Sequence, residues 1–129
     1  MLIAGLVFAG IAALVHVYIF VLESWRWRHP RTRAIFGIRT EEEARVTAPL
    51  AFNQGFYNLF LAVVAALGIL FVVVGSPTVG GTLVFAGAGS MVAAGLVLVV
   101  ASPSRARAAL VQAVAPLIAI VLLAVALAG

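Results

Sequence analysis

Cysteine is absent from this chain, and so are lysine and aspartate. The first absence excludes disulfides, thiol nucleophiles and thiolate metal sites. The other two leave arginine and glutamate to carry the charge, with a net of +4. Charge itself is scarce: 9% of residues, where a soluble domain carries about 25%. No nucleophile motif, cofactor motif or phosphate-cradling loop is present. Two candidate ligands, His16 and Glu23, do not amount to a metal site. No cofactor and no bound metal are therefore expected.

What fills the chain instead is apolar residue, 65% of 129. A soluble core of this length could not hide that much apolar surface. Four long runs hold most of it, at about residues 2–24, 48–74, 79–101 and 108–128. Each is long enough to cross a hydrocarbon core of about 30 Å. The pattern predicts an all-α integral membrane protein, one transmembrane domain over residues 1–129. Its architecture is an antiparallel four-helix bundle with a short interfacial helix or loop between the first two spans. The N-terminus has no basic region ahead of its apolar run, so it reads as a retained helix rather than a removed signal peptide.

The basic link, residues 25–47, carries Arg26, Arg28, Arg31, Arg33, Arg39 and Arg45. Pro30 interrupts helix there. Thr40-Glu41-Glu42-Glu43 reads as a capping box, which starts a helix near Glu41 that feeds the second span. Pro49 is a candidate kink. Gly75-Ser76-Pro77-Thr78 is a short turn without charge. The last link holds Arg105 and Arg107. The positive-inside rule then puts the first and third links in the cytoplasm and both termini outside. Arginines so placed suit membrane topology and anionic lipid, and no nucleic-acid partner is expected. On the third span, Ala86, Ser90 and Ala94 repeat every four residues, a small-residue face suited to helix packing or a homo-oligomer.

Polar residues inside such spans need partners, because lipid offers none. The densest group is Asn53-Gln54-Gly55-Phe56-Tyr57-Asn58. Gly55 can admit another helix closely. His16 and Glu23 are seven residues apart on the first span and share a face, about 10 Å apart by helix rise. Gln112 enters at a similar depth on the fourth span. The candidate ligand-binding set is His16, Phe20, Glu23, Asn53, Gln54, Tyr57, Asn58 and Gln112, with His16 and Glu23 expected to face inward toward Asn53, Tyr57 and Asn58. Each has a plainer reading. His16 can simply donate to a carbonyl, Glu23 can be solvated or paired with Arg26 or Arg45, and the amides can be glue between helices. Trp25 and Trp27 suit a membrane interface.

These strings also resemble a known family. His16-Val17-Tyr18-Ile19 with Leu22-Glu23, then Trp27, Pro30-Arg31 and Phe36-Gly37, then Asn53-Gln54-Gly55-Phe56-Tyr57-Asn58 with Phe60-Leu61-Ala62, are similar to the small bacterial membrane proteins known as domain of unknown function thirteen-oh-four. The resemblance runs the whole chain, with its specific motifs in the first half. It implies a four-helix membrane bundle in the bacterial cytoplasmic (inner) membrane and carries over no activity.

Three functions compete on these residues. The first is a pocket in the cytoplasmic half for a membrane lipid or lipid-like small amphiphile. The second is a membrane-embedded enzyme with His16 and Glu23 as acid and base. The third is a structural subunit of a membrane complex. A proton-coupled exporter fits less well, because such proteins hold their carboxylate deep in the span and Glu23 lies near an end.

Overall fold

Four helices long and apolar enough to cross a membrane carry the fold. In the computed structural model, which describes residues 1–128, α1 spans Leu2–Phe20 and continues in π-helical form over Val21–Trp25. The short α2 is Pro30–Phe36, α3 is Glu41–Val73 and α4 is Pro77–Ala101. A 3-10 turn at Pro103–Arg105 leads into α5, Ala106–Ala128. No strand occurs among the described residues.

The link between the first two spans folds by local rules. Pro30 does not merely interrupt helix; it begins α2, at a first-turn position where its missing N–H is no loss. His29 caps that helix, its Nδ1 accepting from the Arg31 N–H at 3.3 Å. Gly37 ends it with φ 70°, a left-handed conformation that favours glycine, and the Ile38 N–H closes onto the Arg33 carbonyl at 2.9 Å. At the start of α3, Thr40 Oγ1 accepts from the Glu43 N–H at 3.0 Å. The Glu43 carboxylate reaches back one residue further than a capping box requires, to the Arg39 N–H at 3.0 Å. Helix α3 runs through Pro49 for 33 residues, about 50 Å by helix rise. That exceeds a hydrocarbon core of about 30 Å, so its first turns project beyond the apolar spans. Trp27 docks the link there. Its Nε1–H donates to Thr47 Oγ1 at 3.0 Å, and its ring packs on Phe36 at 5.0 Å. Trp27 thus ties the link to α3.

The spans form a ring in which α1 touches α3 and α5, and α4 touches the same two. α1 and α4 lie across a diagonal and barely meet. Small side chains fill the middle. Ala9, Val84, Ala88, Ala119 and Leu123 are 0% exposed, and so are Ala12, Ala65 and Met91. The helices approach closely enough that a Cβ built on Gly80 lies 2.5 Å from the Gly68 carbonyl oxygen and from the Val72 nitrogen. The inward face of α4 is Gly80, Val84, Gly87, Met91 and Gly95. The stripe of Ala86, Ser90 and Ala94 points outward and is exposed. The inward stripe interleaves glycine with Val84 and Met91 at spacings of three and four, and the packing, not the every-four repeat of Ala86, Ser90 and Ala94, selects it. Ser90 on the outward stripe satisfies its hydroxyl locally, donating to the Ala86 carbonyl at 2.8 Å.

Candidate functional site

The buried residues of each helix follow a spacing of three and four, and polar residues fall on that spacing at one end. On α1 the buried stripe is Gly5, Ala9, Ala12, His16 and Phe20, and the next step is Glu23. On α3 it is Ala51, Gly55, Ala62 and Ala65, with Asn58 between Gly55 and Ala62. On α5 it is Ala109, Pro116, Ala119 and Leu123, with Gln112 between Ala109 and Pro116. His16, Glu23, Asn58 and Gln112 therefore all lie on inward stripes, in the half next to the arginine-rich link.

Glu23 and Asn58 meet. The Asn58 amide donates to Glu23 Oε2 at 2.9 Å and also to the Gln54 carbonyl at 3.1 Å. Glu23 is half-buried and forms no salt bridge to Arg26 or Arg45; Arg45 pairs with Glu42 instead. Glu23 sits in the π-helical segment, where the Arg26 N–H reaches five residues back to the Val21 carbonyl at 3.1 Å. Such wide turns cluster at functional positions. This one is held against α3: the Ser24 hydroxyl donates to the Phe52 carbonyl at 3.0 Å. Gly55 makes the approach possible, since a Cβ there would overlap Ser24 Oγ and sit 3.1 Å from the Phe20 carbonyl oxygen.

His16 is 1% exposed, and its Nδ1 lies 2.9 Å from the Ala12 carbonyl oxygen of its own helix. A carbonyl only accepts, so Nδ1 carries a proton. No hydrogen bond joins His16 to Glu23. Gln112 shares its level: Gly5 abuts Leu123 and Ala9 packs with Ala119 on the antiparallel α5, so the same register brings His16 opposite Gln112. Phe20 is buried. Asn53 and Tyr57, expected to face His16 and Glu23, are exposed instead, and so is Gln54 of the candidate binding set. The reason is geometric. Asn53 and Tyr57 each lie two residues from the inward Gly55, about 200° around the helix.

A second feature runs along the α1–α3 seam from the buried Phe20 to the exposed Trp25. The Phe20 ring meets Trp25 at 4.8 Å and Phe56 at 5.0 Å, and Phe56 continues to Phe52 at 5.0 Å. At the arginine-rich end these rings border a cleft of about 200 Å³ lined by Glu23, Ser24, Trp25, Trp27, Arg28 and Phe52. Toward the other end, an apolar groove of about 520 Å³ is lined by Val7, Gly10, Leu14, Val17, Val63 and Ala66. Both openings are on one side. On α3, eleven residues, three turns, separate Phe52 in the cleft from Val63 in the groove, and on α1 the exposed Trp25 and Val17 border the two openings. The groove exists because Gly10, Ala13, Ala62 and Ala66 leave space between bulkier neighbours. Those small residues were its only signal in the sequence. Among the described residues, no group of three or more His, Cys, Asp or Glu is arranged so that it could hold a metal ion.

A family model described as a protein of unknown function, DUF1304, matches residues 10–124. That stretch includes Glu23, Asn58, Gln112 and most of the seam. Comparisons with curated proteins and with solved structures give no match.

Proposed function

The chain belongs to the DUF1304 family of proteins of unknown function, so the function must be read from its own geometry, and we propose that it binds a membrane lipid or lipid-like amphiphile along the α1–α3 seam. One observation carries this: an apolar groove and a polar, aromatic-bordered cleft open on the same side of the same seam. That is the division of a lipid, a tail beside a head. The fully buried layers around Ala12, Ala88 and Met91 favour the seam over the bundle centre as the place for a ligand. By helix rise, Val17 at the near end of the groove is about 12 Å from Trp25. An acyl chain crossing a leaflet of about 15 Å reaches that far. The arginines cluster at the cleft end, which the positive-inside rule makes cytoplasmic. The ligand would then occupy the cytoplasmic leaflet.

The acid–base alternative gains less. His16 Nδ1 is committed to Ala12, and Glu23 is engaged by Asn58. Neither bond aims the two groups at a shared substrate.

Filling the groove tests the proposal. A Cβ on Gly10 meets only Ile69 Cδ1, at 4.0 Å, and Gly10 lines the groove, so the ring of Gly10→Phe would take up groove space. Native mass spectrometry of the detergent-purified protein should find retained lipid on the wild type and several-fold less on Gly10→Phe, with similar melting temperatures. Equal retention by both would refute seam binding.

A further inference from the structure

The cleft at the arginine-rich end of the seam has a lining of mixed charge. It joins one carboxylate, one guanidinium and two indoles: Glu23, Arg28, Trp25 and Trp27. Their remaining bonding capacity differs. Glu23 Oε2 takes the Asn58 amide, while Oε1 has no hydrogen bond from the described residues. Arg28 gives one nitrogen to Glu41 at 3.3 Å and is exposed. A guanidinium has five N–H donors in all, so most stay available. Trp27 has spent its N–H on Thr47 and offers only its ring. Trp25 is 69% exposed, with Phe20 meeting its ring edge-on.

We propose that this cleft selects a zwitterionic aminophospholipid headgroup, with its ammonium on Glu23 and Trp25 and its phosphate on Arg28. The proposal rests on the lipid-binding reading above and adds the head chemistry. A primary ammonium supplies N–H donors to a carboxylate and a cation to an indole face. A guanidinium is suited to phosphate. A choline head keeps the positive charge but has no N–H for Glu23. An anionic head with no ammonium sets a second negative charge against Glu23. The surrounding arginines attract any anionic surface, so selectivity for an ammonium is what distinguishes this cleft from a generic basic interface.

The test uses the full chain in mild detergent. It is offered an equal mixture of phosphatidylethanolamine, phosphatidylcholine and phosphatidylglycerol with identical acyl chains, and retained lipid is read by native mass spectrometry. Phosphatidylethanolamine should dominate over phosphatidylcholine by roughly tenfold, the scale of one charge-assisted hydrogen bond. Glu23→Gln, which keeps an oxygen for Asn58, should bring that ratio close to one while lipid is still retained. Arg28→Gln should lower retention of both lipids and leave their ratio unchanged. A series of N-methylated phosphatidylethanolamines on the wild type should show retention falling as N–H donors are lost, with no need of any variant. A preference for phosphatidylglycerol, equal retention of the ethanolamine and choline lipids, or an unchanged ratio in Glu23→Gln would overturn the headgroup assignment and leave seam binding standing. Absence of any retained lipid would overturn both.

Discussion

Asn53 and Asn58 are the same residue type, five positions apart on one helix, and the bundle uses them differently. Asn58 lies on the inward stripe and gives Glu23 its amide partner at 2.9 Å; Asn53 is exposed. Asn58→Leu should leave the half-buried carboxylate unsatisfied and cost about 1–3 kcal/mol. Asn53→Leu should stay within about 0.5 kcal/mol. Thermal unfolding in detergent measures both. Equal losses would mean that the amides act only as general glue. The polar density around Gly55 was legible in the sequence. Which amide turns inward follows from position relative to Gly55, and the role of Gly55 was certain only once the π-helical segment was seen against it.

At the scale of elements, α3 and α4 meet backbone to backbone. A Cβ on Gly80 would sit 2.5 Å from backbone atoms of Gly68 and Val72, which cannot swing away as a side chain can. Gly80→Ala should therefore force the helices apart and cost at least about 1–3 kcal/mol. Gly89 is the control, since nothing lies within 4 Å of its Cβ position. Gly89→Ala should be neutral or stabilising, because glycine in a helix interior costs up to about 1 kcal/mol relative to alanine. Unfolding temperatures of the two variants should move apart; a matching drop in both would remove the close-contact explanation. Spacing alone offered Ala86, Ser90 and Ala94 as a face for helix packing or for a homo-oligomer; within the bundle α4 packs through Gly80, Val84 and Gly87 instead. A repeat every four residues marks a face without saying which way it turns.

For the whole molecule, orientation decides which leaflet the proposed cleft serves. The chain has no cysteine, so single cysteines report cleanly. Ala34 in the arginine-rich link and Thr78 after the opposite turn are both exposed. Ala34→Cys should react with an impermeant maleimide only from the cytoplasmic side, and Thr78→Cys only from outside. The reverse pattern would move the cleft to the outer leaflet.

The number of spans, the capped start of α3 and the charge asymmetry were determined by the sequence alone. Each is a local or compositional property: apolar length, one hydrogen-bonding box, a count of arginines. The tertiary structure decided which stripe of each helix turns inward, that Glu23 meets Asn58, and that small residues on α1 and α3 leave a groove between them. Those outcomes depend on helix rotation and approach distance. In an evenly apolar helix no strong amphipathic signal sets the rotation, so it is settled by how glycine and alanine on one helix fit the neighbour.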